Sequence, residues 1–174
     1  RGLCVLLVEY RGFGRSEGTP TEGGVYRDAT AAYRFLADDR HVPASRIGLF
    51  GESLGGAVAI ELGTRVKVCG IAVESAFTSI RDMAHSVLPW YPRWFVPNAF
   101  DSLGRVASLL APLLVVHGKR DSTVPFEQGQ RLFDAAREPK RFEAVAGAGH
   151  VDVDLVGGSA YADLLAAFFR DGAR

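Results

Sequence analysis

The sequence predicts an α/β domain, a mostly parallel sheet with helices packed on both faces. Three observations predict it. Short strand-like runs recur at residues 3–8, 46–50, 68–73, 113–116 and 141–145; the most apolar of them, 3–8 and 113–116, are continuous rather than alternating, as in strands buried on both faces. Between the runs lie longer stretches with apolar residues at helical spacing, and strands alternating with helices build parallel sheets. The 174 residues, 48% of them hydrophobic, suit one domain with a sizeable core.

In chain order, residues 3–8 form the first expected strand, and Gly12, Gly14 and Gly18 make the loop after it irregular. Residues 26–38 place Ala29, Ala32, Tyr33 and Leu36 at helical spacing, with Asp28 in the favoured first turn. Pro43 breaks that helix before the second strand, 46–50. A helix of small residues follows at 53–64, then the third strand at 68–73. The fourth strand, 113–116, follows Pro112, and the helix 126–136 ends before Pro139. The fifth strand is 141–145, and a closing helix at 161–170 carries Leu164, Leu165, Phe168 and Phe169. One stretch interrupts the alternation: residues 76–111 hold Phe77, Trp90, Tyr91, Trp94, Phe95 and Phe100 with Pro89, Pro92 and Pro97. So long and aromatic a connection reads as a small cap rather than as a disordered loop.

Composition narrows the function. Lys plus Arg and Asp plus Glu are both 20, so a net charge of zero gives no reason to expect nucleic acid or an anionic membrane as partner. Cys4 and Cys69 lie in apolar runs and read as free thiols, not a disulfide framework. No run approaches the ~20 apolar residues of a membrane helix. The chain opens at Arg1-Gly2 and enters an apolar run at once, without an initiator Met. It is therefore expected to be an internal segment. A cytoplasmic location is favoured, with the proviso that a targeting or anchoring segment precedes Arg1.

The chemistry is carried by Gly51-Glu52-Ser53-Leu54-Gly55, a G-x-S-x-G sequence. Alone it is a weak signal, but here a strand precedes it and a helix follows. That context puts the serine on a sharp turn that lifts its hydroxyl clear of the sheet, and flanking glycines avoid collisions there. The helix start directs a free N–H, that of Leu54, toward the reaction centre as an oxyanion donor. A serine nucleophile needs a base, and the base needs an orienting carboxylate. Asp121 follows the fourth strand and His150 sits on a glycine-rich loop after the fifth, both at strand carboxyl ends, where open α/β sheets place their sites.

These residues resemble the α/β-hydrolase superfamily and, within it, the small ABHD-type serine hydrolases. Residues 10–18 resemble the loop after that group's fourth strand, 51–55 its nucleophile elbow and 121–125 its acid loop. The order Ser53, Asp121, His150 is the one this fold uses. The resemblance implies that the chain begins at the family's fourth strand and that the cap lies between its sixth and seventh. The family's first strands and the loop supplying its second oxyanion donor would then lie upstream of Arg1, and Glu9 stands where the family usually has Asp. Because the family's third strand lies between its fourth and fifth, residues 3–8 are expected either to slide over and pair with residues 46–50 or to hang on their helix. Residues 1–174 are accordingly expected to form one partial domain with an apolar edge.

The function expected is hydrolysis of an ester or thioester through an acyl-enzyme, with Ser53 as nucleophile, His150 as base and Asp121 as its orienting acid. Trp90, Tyr91, Trp94 and Phe95 are expected to contact an apolar acyl or aromatic group of a small-molecule or acyl substrate. No cofactor and no metal are implied. The alternatives are a serine peptidase of the same fold and a non-catalytic binding protein. Glu74 is the rival for the acid. Asp152 and Asp154 read as solvated, with tuning of the His150 imidazole as the alternative, His41 and His85 as surface or structural, His117 as packing or hydrogen-bonding locally, and Arg11 and Glu52 as structural partners near the elbow.

Overall fold

A computed structural model describes residues 1–171. Four parallel strands form one sheet in the order β1-β2-β3-β4: β1 is Gly48–Glu52, β2 Gly70–Glu74, β3 Leu113–Gly118 and β4 Lys140–Val145. The parallel pairing sets Glu52 beside Glu74 and His117 beside Ala144, so the strand carboxyl ends fall along one edge.

The side-chain period of two divides the core between the sheet's faces. Ile71, Val73, Leu113 and Val115 pack with Ala59 and Ile60 of α2 (Leu54–Gly63), Val106 of α4 (Ser102–Val106) and Leu132 of α5 (Phe126–Ala135). On the other face Ala72, Leu114 and Val116 meet Val153 and Phe168 of α6 (Val153–Asp171). The first helix, α1 (Glu22–Arg34), buries Val25 and Ala29 against Val58 and Leu62 of α2. Helices thus cover both faces, as expected.

Helix α1 starts earlier than its apolar spacing suggests, because Thr21 accepts the Gly24 N–H on its side-chain oxygen and caps it. It runs on as a π turn, Phe35–Asp39. The closing helix also starts earlier, at Val153, and is broken at Gly158, whose φ of 56° and ψ of −137° only glycine adopts readily.

The first expected strand is not one. Residues 1–10 pair with no strand, and Val5 and Leu7 are 77% and 88% exposed. The physical reason is that an apolar slot separates its backbone from the free edge of β1. Leu6, Val8 and Tyr10 face Leu49 and Phe50 of β1 across an apolar slot, and no backbone ladder bridges it. Of the two outcomes expected for residues 3–8, the structure shows the loose one. The segment is tied down at Arg11, whose N–H and guanidinium donate to Asp28 of α1, the shortest contact at 2.6 Å.

Within 76–111, residues 76–79 are buried and α4 joins the core through Val106. The outer part consists of α3 (Ile80–Val87) and a 3-10 turn at Arg93–Phe95. Asp82 of α3 pairs with Arg93 of that turn and with Arg131 of α5, fastening the outer part to the body. Among the described residues no helix is long and apolar enough to cross a membrane.

Candidate active site

Ser53 is the single residue between β1 and α2, and its φ of 51° and ψ of −113° are strained for a side-chain-bearing residue. Two backbone bonds hold it: its N–H donates to Glu74 O at 2.9 Å, and Gly56 N–H donates to Ser53 O at 3.0 Å. The two motif glycines differ in what they do. A Cβ on Gly51 would lie 2.1 Å from Gly55 O, so the turn forbids one; a Cβ on Gly55 would find nothing nearer than 4.0 Å. Space thus does not require glycine at position 55, whereas Gly56 lets the helix pack close, since a Cβ there would meet that of Ala76 at 2.8 Å. Leu54 is the first residue of α2, so its N–H is among the first-turn amides without an intrahelical acceptor.

Asp121 lies three residues beyond β3, its N–H bonded to Gly118 O at 3.2 Å. Its Oδ1 accepts the N–H groups of Thr123 at 2.9 Å and Val124 at 2.8 Å. The His150 loop is joined to the Asp121 loop by Arg120 N–H donating to Ala148 O at 2.8 Å. Gly118 permits this contact, since a Cβ there would lie 2.3 Å from Gly149 O. Asp152 is not merely solvated as expected: its Oδ1 accepts Gly149 N–H at 2.6 Å and braces the residue before His150. Neither role was legible from motif order, although a glycine ending one strand and an Asp three residues past another glycine are local turn signals.

His150 joins the other two residues. Its Nδ1 is 2.8 Å from Asp121 Oδ2 and its Nε2 3.2 Å from Ser53 Oγ. A carboxylate can only accept, so Nδ1 carries the proton and the bare Nε2 accepts from the serine hydroxyl. Burial pushes the Asp121 carboxyl up, but the donors from His150, Val124 and Thr123 outweigh it and hold the group below its ordinary range.

Glu74 does not take the acid's place. It is buried at the end of β2, where its carboxylate accepts from the Tyr161 hydroxyl of α6. Burial, with the negative charges of Glu52 and Asp154, pushes its carboxyl up to about 7 against the pull of Tyr161 and His150. The Tyr161 hydroxyl is pushed up in turn by burial and by Glu74. Arg11 has the structural partner expected of it in Asp28. Glu9 also has one: it accepts the Arg15 N–H at 3.1 Å across the 10–16 turn. His117 is fully buried, with Nε2 3.0 Å from Val124 O.

Trp90, Tyr91, Trp94 and Phe95 form a ladder of touching rings, with successive centroids 6.0–6.1 Å apart. They face outward, Trp90 and Trp94 being 76% and 78% exposed. Of the residues 76–111, Phe77 is buried with Ala57 and Val124 beside the elbow, and Met83 and Phe100 pack against that cluster, as Leu54 does. Among the described residues no group of three His, Cys, Asp or Glu side chains is arranged to hold a metal ion.

The prolyl oligopeptidase family model matches residues 1–169. An uncharacterized protein of Mycobacterium tuberculosis is 40% identical over 173 residues, covering 99% of this chain and 62% of that protein. Human alpha/beta hydrolase domain-containing protein 17B is 30% identical over 153 residues, covering 88% of this chain and 52% of its own length. Among solved structures, the esterase domain of a Rhodothermus marinus protein superposes with a TM-score of 0.65 at 25% identity, covering 83% of this chain and 68% of that one. The chain thus spans less than two thirds of these two sequence relatives. With the family model matched over nearly all of its length and the strand, elbow and loop order just described, the chain belongs to the prolyl oligopeptidase family and has the α/β-hydrolase fold.

Proposed function

We propose that this chain carries the catalytic centre of a serine hydrolase acting on carboxylic esters or thioesters. The observation that supports it most is the unbroken path from Ser53 Oγ through His150 to Asp121. Ser53 Oγ attacks the substrate carbonyl while its proton passes to His150 Nε2, and Asp121 steadies the imidazolium that forms. The carbonyl oxygen becomes an oxyanion beside the Leu54 N–H, a preorganised donor at the helix start. His150 then returns the proton to the departing alcohol or thiol, leaving an acyl group on Ser53. Water, deprotonated by His150, attacks the acyl group, and Ser53 leaves with that proton.

Leu54 and Met83, partly buried against the apolar cluster of Ala57, Phe77 and Val124, make the surroundings of the elbow apolar, which supports an apolar acyl group. Trp90, Tyr91, Trp94 and Phe95 are proposed to contact the substrate's outer part. A peptidase is the second reading, favoured by the family that matches; the esterase title of the Rhodothermus marinus structure favours the first. The deciding experiment treats the full-length protein with a fluorophosphonate and then with p-nitrophenyl ester, acyl-thioester and aminoacyl-anilide series. Labelling lost in Ser53→Ala, with ester or thioester turnover exceeding anilide turnover, is expected. Absent labelling would instead mark a non-catalytic binding protein.

A further inference from the structure

We propose that His117 is a positioning residue, a neutral imidazole whose Nε2–H holds the Asp121 carboxylate in the orientation that His150 needs. The inference rests on the triad reading above. His117 is the penultimate residue of β3 and has no exposed surface. Its Nε2 lies 3.0 Å from Val124 O and 3.3 Å from Asp121 Oδ2. Both neighbours are acceptors, so the proton must be on Nε2. The opposite nitrogen, Nδ1, is buried without a partner and faces the backbone of α5, where a Cβ on Gly129 would come within 2.3 Å of it. Phe126 packs edge-on against the ring at 5.7 Å. A charged imidazole would need a donor-satisfying acceptor at Nδ1, and none is there. Burial also pushes the His117 pKa down, against Val124 O and Asp121, which raise it, while nearby His150 lowers it further. Asp121 and His150 are the ionisable groups that act on it.

One N–H therefore braces two points of the same turn. It donates to Val124 O, whose own N–H donates to Asp121 Oδ1, and it lies 3.3 Å from Oδ2, the oxygen that meets His150 Nδ1. With Thr123 N–H also on Oδ1, the carboxylate accepts three hydrogen bonds, two on Oδ1 and one on Oδ2, and His117 Nε2 stands 3.3 Å from Oδ2 as a longer fourth contact. These contacts hold both oxygens and favour the orientation in which Oδ2 meets His150. Gly129 is part of the device: only a residue without Cβ leaves room for the ring in this pose.

The test compares His117→Phe, which keeps a ring but removes the donor, with His117→Gln, which restores an N–H near Nε2, in the full-length protein. The readout is the pH profile of fluorophosphonate labelling at Ser53. His117→Phe should label about tenfold to a hundredfold more slowly, the worth of a hydrogen bond to a charged group. Its acid limb should move to higher pH, because Asp121 loses a donor that favours its ionised form. His117→Gln should recover most of the rate. A purely structural role would lower the folded fraction without moving the limb. Wild-type rate and profile in His117→Phe would overturn the proposal. If the wild type does not label at all, the hydrolase reading fails, and His117 is judged instead by nitrogen NMR of the ring. Protonation at Nε2 alone, with a resonance that moves in Asp121→Asn, is expected; an Nδ1–H tautomer or a doubly protonated ring at neutral pH overturns it.

Discussion

In the proposed mechanism the path Ser53–His150–Asp121 acts only as a unit, because each hydrogen bond fixes the tautomer the next one needs. Ser53→Ala and His150→Ala in the full-length protein should each abolish nearly all ester turnover, and the double variant should be little worse than either alone, as steady-state kinetics would show. Glu74 predicts a different effect, on stability. Its carboxyl is held at about 7 in the folded protein, against 4.5 ordinarily. Between those values the unfolded chain ionises while the folded one stays protonated. The stability contributed is thus full below the ordinary value and is lost as pH rises through about 7. Glu74→Gln does not ionise, so urea unfolding should show it gaining on the wild type from pH 4 to pH 8, by about 2–3 kcal/mol. A constant difference across that range would contradict this account. At this scale the sequence was informative where chemistry imposes residue type and chain order, as with Ser53, Asp121 and His150. It favoured a solvated Asp152 and was silent about Tyr161 and Gly118, whose roles depend on which loops meet in space.

At the scale of elements, the elbow depends on how closely α2 returns over the end of β1. A Cβ on Gly51 would sit 2.1 Å from Gly55 O, whereas one on Gly55 would be in open space. Gly51→Ala should therefore force the turn apart, losing at least about 1–3 kcal/mol and most labelling of Ser53. Gly55→Ala should be neutral or stabilising by up to about 1 kcal/mol, since alanine is the better helix former. Thermal unfolding of the two variants checks both directions, and equal destabilisation would refute the distinction. The motif alone treats the two glycines as equivalent. Strand and helix existence was legible because buried parallel strands and amphipathic helices have different periods. Their ends were less so: the Thr21 cap moves α1 forward, and Gly158 splits a helix that periodicity starts only at its second half. The stretch 76–111 was legible as an interruption, but not the division between outer residues and an α4 that belongs to the core.

For the whole molecule, the decisive feature is that β1 has one hydrogen-bonded neighbour and lies at the edge of the sheet. Parallel strands are normally covered on both faces and paired on both sides, because their unpaired N–H and C=O groups offer a template to any other strand. Here the free side of β1 looks into the slot bounded by Leu6, Val8 and Tyr10. Phe50 is 49% exposed on that edge, and Leu3, Val5, Leu6, Leu7 and Val8 stand exposed nearby. The family resemblance anticipated two outcomes for residues 3–8 without choosing between them, since local propensity favours a strand there and whether its backbone reaches β1 depends on how the segment packs. The opposite edge, β4, begins with Lys140 and Arg141, the charged residues that discourage edge pairing. Association should therefore run through β1. Residues 1–174 produced alone should elute as a mixture larger than a monomer in light-scattering chromatography and bind a hydrophobic dye. Phe50→Lys, placing a charge on the open edge, should shift the population toward monomer, whereas Phe142→Lys on β4, a core position, should unfold the chain instead. A monodisperse wild-type monomer that ignores the dye would mean that residues 3–8 close the slot in solution and that β1 is not an open edge.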